Sequence, residues 1–339
     1  MPGIHGACIG IDLGTANCLV CTKEKGIVIR EPSVVTYDIA SERVLAVGSE
    51  AKRMIGKTPY GITTVRPLRD GVIADFELTL VMMKLFIKRA MHASLFARPK
   101  VIVCIPYGIT EVEQRAVENA AVEAGAASVA LIEEPVAAAI GAGLPLRQPK
   151  GSMIVDIGGG TTEVAVVTSG GVAVSKSLRA AGDACDRAVA EYIRKKFNVL
   201  IGETTAEEIK TEIGSVHSST DIGMLEVRGR NLATGLPSVF NIYSREVGEA
   251  IAAPVGAIID VIKATLEITP PELCADLMDS GIMLAGGGAL LAGFPQLLEE
   301  RTGLPVMLAK HPLDCVADGI AKVMSGKGYR GILREVKKI

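Results

Sequence analysis

The stretch "IGIDLGTAN", residues 9–17, decides the fold of this chain. An apolar strand leads to Asp12, and Gly14 and Thr15 then form a tight turn before the next strand begins. The stretch "IVDIGGGTTEVAVV", residues 154–167, repeats this order of apolar strand, aspartate, glycine, threonine and second strand. From Asp12 to Asp156 is 144 residues, the length of a domain, so the repetition predicts two related halves in one α/β chain.

The composition limits the classes of function. The chain has 339 residues, of which 49 % are hydrophobic and only 4 % aromatic, with no Trp. This balance favours a tightly packed α/β protein over an aromatic-lined binder of sugars or nucleic acids. The formal net charge of −2 provides no basic surface for a polyanion, so we expect no nucleic-acid partner. The N-terminus "MPGIHGACIG" lacks the features of a secretory signal, which predicts a cytoplasmic protein.

The order of elements supports the division into halves. Strand patterns fill the first third, and helical spacing of apolar residues predicts a helix over 74–96, followed by a buried strand over 100–106. Thr110 and Glu113 match a capping box for a helix that ends at Gly125, and a further strand runs into a helix with Pro135 in its first turn. Strand patterns restart near residue 150, and helices are predicted over 183–197 and 245–267. We therefore predict a first half over 1–147, a second half over 148–325 and a basic tail over 326–339.

The two hairpins predict a phosphate site. Glycines at a turn expose backbone N–H groups, and such amides bind phosphate oxygens without a lysine. Asp12 and Asp156 cannot hold phosphate directly, but they suit a Mg²⁺ ion that keeps its waters and lies between carboxylate and phosphate. A single hairpin of this kind is equally explained by an aspartate that caps a tight turn. Two copies one domain apart favour the phosphate interpretation.

Three further stretches carry candidate chemistry. "LAGGGALL", residues 284–291, lets a ligand approach the backbone at a helix start, although a packing turn explains it as well. In "EEPVAAA", residues 133–139, a glutamate at a strand-to-helix junction could orient a water for attack on a phosphoryl group, or could only complement the helix dipole. In "TAEEIKTEIG", residues 205–214, Thr205 and Glu208 match a capping box, while Glu207 and Lys210 share a helix face that could contact adenosine.

In this order, the motifs resemble those of the actin-like ATPase superfamily, and most closely the MreB family with its Mbl-type members. The resemblance runs from about residue 8 to about residue 325. Besides the stretches already quoted, it rests on "EKGIVIREPSVV", "AKRMIGKTP", "RPLRDGVIADFE", "AGDACDRAV", "TGLP" and "TPPEL". It implies an actin-like α/β fold of two ribonuclease-H-like halves around a nucleotide cleft. Smaller inserted subdomains are then expected at about 33–75 and 182–245.

The resemblance also assigns roles to individual residues. Glu134 corresponds to the residue that positions the hydrolytic water, Thr161 lies beside that water, and Asp12 and Asp156 act on Mg²⁺ through water. The phosphate contacts implied are Gly14, Thr15, Ala16 and Asn17 in the first hairpin and Gly158, Gly159, Gly160 and Thr161 in the second. The nucleoside contacts implied are Glu207, Glu208, Lys210, Gly286, Gly287, Gly288 and Ala289. The expected cofactors are ATP and Mg²⁺.

The family further implies paired filaments on the inner face of the cell membrane, contact with membrane proteins of cell-wall elongation, and a role in cell shape. Leu95 and Phe96, which follow a helix with three basic residues, match an apolar membrane loop, although core packing explains such a pair equally well. The basic tail could add affinity for an anionic surface or be a solvated terminus.

Two other functions of the superfamily are possible alternatives. A small-molecule kinase needs a second polar substrate pocket, and no cluster of sugar-binding side chains is evident over 30–75 or 180–250. A chaperone-like ATPase needs an added peptide-binding domain, for which few residues follow the glycine run. The expectation is therefore a cytoskeletal ATPase in which slow hydrolysis weakens subunit contacts after assembly.

Overall fold

The first half starts with a meander of three strands. The fold is that of a computed structural model, which describes residues 7–91, 98–326 and 333–338, with backbone alone for 334–338. The meander consists of β1 (Cys8–Leu13), β2 (Asn17–Thr22) and β3 (Gly26–Pro32). The elements that follow are β4 (Val35–Asp38), β5 (Val44–Val47), α1 (Ser49–Lys52), β6 (Ile62–Val65), β7 (Leu68–Arg69), β8 (Val72–Ile73), α2 (Phe76–Ala90), β9 (Lys100–Ile105), α3 (Glu111–Glu123), β10 (Ser128–Glu133) and α4 (Glu134–Ala142).

The second half starts in the same way. Its meander consists of β11 (Ser152–Ile157), β12 (Thr162–Thr168) and β13 (Gly171–Leu178). The elements that follow are α5 (Gly182–Phe197), β14 (Val199–Leu200), α6 (Glu203–Ile213), β15 (Met224–Asn231), β16 (Pro237–Tyr243), α7 (Ser244–Glu267), α8 (Pro271–Ser280), β17 (Ile282–Ala285), α9 (Phe294–Thr302), β18 (Val306–Leu308), α10 (Cys315–Met324) and β19 (Arg334–Lys338). Short 3-10 turns over Gly287–Leu290 and Pro312–Asp314 follow β17 and β18.

The two main sheets repeat one topology. The first has the order β19-β10-β9-β1-β2-β3, and the second has the order β13-β12-β11-β17-β18. In each, the meander is antiparallel, and its first strand also pairs in parallel with a later strand, β9 or β17. A second parallel strand, β10 or β18, completes the common set of five. The two-half architecture predicted from the repeated motif is therefore present in the sheet topology.

Local sequence explains where several helices begin and end. Thr110 Oγ1 accepts a hydrogen bond from the Glu113 N–H, and a Glu113 carboxylate oxygen accepts one from the Thr110 N–H, which confirms the predicted capping box of α3. The Asp75 side chain accepts a single hydrogen bond from the Leu78 N–H at the start of α2, and Gly143 ends α4 in the left-handed conformation. The predicted helix over 74–96 is shorter, since α2 ends at Ala90, and residues 92–97 lie outside the described chain.

The capping box predicted for Thr205 and Glu208 is wrong. The N-cap of α6 is Gly202, which has an extended backbone and lies three residues before Thr205, so the helix begins at Glu203. The short strand β14 pairs with β15 immediately before this point, so tertiary pairing fixes the helix start ahead of the local Thr-x-x-Glu pattern.

The helices α4 and α10 lie between the two sheets. One buried cluster joins Ile102 of the first sheet and Ile154 of the second to Ile140 of α4 and Ile320 of α10. Each helix carries a glycine where the other approaches: a Cβ atom on Gly141 would collide with the Cys315 carbonyl, and one on Gly319 with the Ala137 carbonyl. The two helices thus make backbone contact, and they form a shared central layer.

Smaller sheets stand at the outer ends of both halves. The stretch 33–75 contains a three-stranded sheet of order β5-β4-β6, and the stretch 182–245 contains one of order β14-β15-β16. The last described strand, β19, pairs antiparallel with β10 at the edge of the first sheet. The end of the predicted basic tail is therefore a paired sheet strand over residues 334–338, and the two interpretations of the tail's role stay predictions.

Candidate functional site

A cavity of about 540 Å³ lies between the two halves and is lined by both hairpin turns. The hairpins face one another at close range. A Cβ atom on Gly159 would lie 2.6 Å from the Cβ of Ala16, and one on Gly160 would lie 2.7 Å from Thr15 Oγ1. Only glycine allows this approach, which explains why the second turn is a glycine run. The structure thus brings together the two turns that the sequence places 144 residues apart.

The turns present backbone N–H groups to the cavity. In the first turn, the carbonyl oxygens are occupied, because Ser33 donates its hydroxyl to Gly14 O at 2.6 Å and its N–H to Ala16 O at 3.0 Å. The described chain holds no protein acceptor for the N–H groups of Thr15, Ala16, Gly159 and Gly160. Amides of this kind from two facing turns form a site for an anion with several oxygens, such as a chain of phosphates.

Three carboxyl groups line the cavity beside the turns. Asp12 and Asp156 are the penultimate residues of β1 and β11, and Glu134 is the first residue of α4. Burial raises the pKa of Asp12 to about 7, with a further contribution from the Asp156 charge, and burial likewise raises the pKa of Asp156 to about 7. The pKa of Glu134 is raised well above its usual value by burial, then by the charges of Asp156 and Asp12. Such a cluster is stabilised by a cation or by protons.

The acidic cluster fits a hydrated Mg²⁺ ion. Within the described chain, no three His, Cys, Asp or Glu side chains converge closely enough to hold a metal by themselves. Asp12 and Asp156 would therefore hold the ion through its waters, with the remaining ligands from phosphate oxygens, as Mg²⁺ usually prefers. The donor set consists of hard carboxylate oxygens, which agrees with this choice of metal.

A fourth acidic residue was missed by the sequence reasoning. Glu163 on β12 lies opposite Asp156 in the strand register, is buried, and accepts a hydrogen bond from Ser177 at 2.6 Å. Burial raises its pKa to about 7, although the Ser177 bond lowers it, and its charge contributes to the raised pKa of Glu134. The available signal was a charged residue inside the apolar strand "TTEVAVV".

The other end of the cavity is formed by α6 and the glycine run after β17. Glu207, Lys210, Gly286, Gly287 and Gly288 all line it, as predicted. A Cβ atom on Gly286 would collide with an Asp156 carboxylate oxygen. The absence of a side chain at Gly286 therefore allows the turn to pack directly against Asp156 in the cavity wall. Lys210 Nζ lies 2.8 Å from Asp186 Oδ1 and donates to Gly182 O at 3.0 Å, which fixes its position.

Two predicted contacts do not reach the cavity. Glu208 lines a separate groove between α1 and α6, because one residue along a helix turns the side chain by about 100° from Glu207. Ala289 is buried in the core of the second half and does not line the cavity. The structure does not bring these two residues to the site, whereas it places every other predicted nucleotide and metal residue on the cavity wall.

Several wall residues were not predicted. Asp186 and Asp183, from "AGDACDRAV", lie at the start of α5, and burial raises the pKa of Asp186 to about 6 although Lys210 lowers it. Arg30 reaches the wall from β3 and lies 2.6 Å from Asp314, which raises its pKa. The signal for Asp186 was its i, i+3 spacing to Asp183 on one helix face. Arg30 and Asp314 carry no local signal.

The structure does not test the predicted membrane loop. Leu95 and Phe96 lie outside the described residues. Across the part of the chain that is described, every helix is too short or too polar to serve as a membrane-spanning segment.

Comparisons with known proteins agree with this geometry. The family model described as MreB/Mbl protein matches residues 6–329. The chain is 50 % identical to the cell shape-determining protein Mbl of Bacillus subtilis (strain 168), over 92 % of this chain and 93 % of that protein. It is also 50 % identical to the cell shape-determining protein MreB of Escherichia coli (strain K12), over 95 % of this chain and 94 % of that protein.

Solved structures share the whole architecture. The crystal structure of MreB5 of Spiroplasma citri bound to ADP has a TM-score of 0.91 and 37 % identity, and covers 96 % of this chain and 98 % of its own. The same protein bound to AMPPNP gives a TM-score of 0.90 at 36 % identity, with the same two coverages. The predicted actin-like fold is confirmed by these neighbours.

Proposed function

Because the chain belongs to the MreB/Mbl family, we propose that it is a nucleotide-dependent bacterial cytoskeletal protein that helps determine cell shape. The observation that carries this proposal is the pair of facing hairpins in one interdomain cavity, within a chain matched to the family over residues 6–329. The crystal structures of MreB5 bound to ADP and to AMPPNP support a purine nucleotide as the ligand.

The proposed ligand is ATP with Mg²⁺. The free N–H groups of Thr15, Ala16, Gly159 and Gly160 would bind the phosphate oxygens, and Asp12 and Asp156 would hold the waters of the ion. Mg²⁺, when bound, would neutralise charge on the phosphates and on the acidic cluster. Glu207, Lys210 and the turn at Gly286–Gly288 would contact the nucleoside.

The proposed reaction is slow hydrolysis of ATP. Glu134 and Thr161 line the same cavity as both phosphate turns, so each can offer an oxygen to one water molecule at the terminal phosphate. A carboxyl oxygen of Glu134 would accept a hydrogen bond from this water and orient it for in-line attack. Glu134 lies directly between the end of β10 and Pro135 in the first turn of α4. These neighbours would restrict its backbone while the halves close.

We also propose that the protein assembles into paired filaments on the inner face of the cell membrane, where it contacts membrane proteins of cell-wall elongation. The family resemblance supports this step. Large apolar side chains on the surface, such as Val112 on α3 at 78 % exposure and Met278 on α8 at 71 %, are available for contact between copies.

An ATP-dependent sedimentation assay tests the proposal. Purified protein at micromolar concentration is incubated with ATP and Mg²⁺ in the presence of lipid vesicles, centrifuged, and the pellet is viewed by electron microscopy. We expect filaments in the pellet, and less pellet when EDTA removes the metal or when nucleotide is omitted. Protein that stays monomeric in every condition, or that pellets without visible filaments, contradicts the cytoskeletal function.

A further inference from the structure

Two ion pairs connect the first half to the second, and one of them involves the cavity residue Glu207. Lys52, the last residue of α1, places Nζ 2.8 Å from Glu207 Oε2 and donates to Oε1 at 3.0 Å. Arg66, just after β6, places Nη2 2.8 Å from Glu203 Oε1. Both acceptors belong to α6, so the two pairs connect the outer sheet region of the first half to a single helix of the second.

The surroundings of these pairs are also complementary in charge. A groove of about 800 Å³ between α1 and α6 is lined by Lys52, Arg53 and Lys57 on one side and by Glu203 and Glu208 on the other. Opposite charges that face each other across a groove attract, and this attraction favours the closed arrangement of the two halves.

The degree of burial shows that the pairs are more than solvated surface contacts. The side chains of Lys52 and Glu207 are 33 % and 29 % exposed, and that of Arg66 is only 15 % exposed while Glu203 is 52 % exposed. The Nε atom of Arg66 is buried without a hydrogen-bond partner in the described chain. Removal of Glu203 would therefore leave a largely desolvated guanidinium with less compensation.

Glu207 is the residue that links these pairs to the ligand, since it lines the cavity and also binds Lys52. A bidentate contact to the ammonium fixes the plane of the carboxylate. We propose that the Lys52–Glu207 and Arg66–Glu203 pairs form a latch, here called the cleft latch, which holds the halves closed and orients Glu207 toward the nucleoside. This inference rests on the proposed function, because it assumes that the cavity takes a nucleotide.

The cleft latch makes Lys52 and Arg66 positioning residues for nucleotide retention. When the latch is open, the nucleoside end of the cavity widens and Glu207 loses its fixed orientation, so the dissociation rate of nucleotide rises. Partly exposed ion pairs are modest in strength, and the expected change for one broken pair is about fivefold. Because salt screens these charges, the dissociation rate of the wild type should also rise with ionic strength.

A charge swap at the Arg66–Glu203 pair tests the latch, since neither residue lines the cavity. Dissociation of a fluorescent ATP analogue is followed by stopped flow, in Mg²⁺, for the wild type, Arg66→Glu, Glu203→Arg and the double variant. Each single variant should release the analogue about fivefold faster, and the double variant should return to within about twofold of the wild type. Single variants at the wild-type rate, or a double variant that is as fast as the singles, would overturn the latch.

Variants at Lys52 provide an independent test with a matched control. Lys52→Ala should release the analogue faster, while Lys52→Arg keeps the cation and should restore slow release. Arg53→Ala, the adjacent and exposed position on the groove wall, should leave the rate unchanged. Equal rates for Lys52→Ala and Arg53→Ala contradict the latch. Thermal unfolding of each variant shows whether it is folded.

The two proposals fail in different ways. If the wild type binds no nucleotide analogue at all, the proposed function is wrong. If the wild type binds and all variants release it at the same rate, only the cleft latch is wrong.

Discussion

The two halves share one sheet topology, and each supplies one of the facing turns, yet the rest of the cavity wall differs between them. In the first half, β10 leads directly into α4 and places Glu134 beside the phosphate turns. At the corresponding point of the second half, β18 leads through Pro312 and Leu313 into α10, and these apolar residues line the wall instead. We therefore expect the two halves to divide the labour: Glu134 of the first half is the proposed catalytic carboxyl group, and the second half is proposed to supply most of the nucleoside contacts.

The turns that follow β9 and β17, the corresponding parallel strands of the two sheets, also differ between the halves. After β9 the chain continues with Pro106, whereas after β17 it continues with Gly286 and two further glycines. The glycine run allows Asp156 and Ile157 to pack against its backbone, because side chains at Gly286 or Gly288 would collide with them. The shared topology sets the positions of the two turns, and the residue at each turn decides whether a ligand can approach the backbone.

The strongest test of this division is Glu134→Gln, which keeps the shape of the side chain and removes its charge. We expect the rate constant of hydrolysis to fall about 100-fold, while the KM for ATP changes less than about threefold, because the phosphate turns are intact. Phosphate release in single-turnover experiments measures the effect.

The neighbouring residue provides the control. Glu133 is the N-cap of α4 and does not line the cavity, so Glu133→Gln should retain hydrolysis within about twofold of the wild type. Equal losses in the two variants would mean that the junction is sensitive to any change and that Glu134 has no special role.

A smaller effect is expected from pH on the free energy of unfolding. The acidic cluster contains carboxyl groups from both halves. The pKa values of Asp12 and Asp156 are raised from 3.8 to about 7 in the folded state. Their contribution to stability is complete below pH 3.8, and it is lost as the pH rises towards and through 7. In EDTA without nucleotide, the free energy of unfolding should fall between about pH 5 and pH 7, by about 1 kcal/mol per pH unit for each group.

The variant Asp12→Asn removes one of these two groups. Denaturant unfolding at several pH values should then show a shallower decline than the wild type. A decline of the same steepness in both proteins would show that Asp12 does not titrate in this range.

The smallest effect is expected at the nucleoside wall of the second half. The side chain of Leu313 is 52 % exposed and lines the cavity, so Leu313→Ser should not disturb the core. We expect the KM for ATP to rise about threefold with the rate constant of hydrolysis unchanged, because only apolar contact with the ligand is lost. Steady-state kinetics measures both parameters. A lower rate constant with an unchanged KM would show that the two halves do not divide the labour in this way.

Features that depend on local chemistry could be predicted from the sequence. The two hairpins, the glycine run and the Glu134 junction each combine a strand end with residues of special backbone or charge, so a short stretch contains the whole signal. The α3 capping box and the helices α5 and α7 belong to the same class, and the structure confirms them. The roles assigned to these residues stay predictions.

Features that depend on tertiary contact could not be predicted. Lys52 and Glu207 are 155 residues apart, and their pairing exists only because the halves close. Glu163 becomes part of the acidic cluster through its strand register, and Arg30 meets Asp314 only across the domain boundary. The start of α6 failed as a prediction for the same reason, because the pairing of β14 overrides a valid local capping pattern.

The position of α10 also has a consequence for the order of folding. This helix fills the central layer between both sheets, and β19, which follows it, completes the edge of the first sheet. Both elements follow the last strand of the second sheet in the sequence. A chain that emerges from the ribosome therefore has all strands of its first meander long before it has the helix that covers them. The first half therefore depends on residues that are translated after the strands of the second half, and its sheet and its covering helix are incomplete until those residues are made.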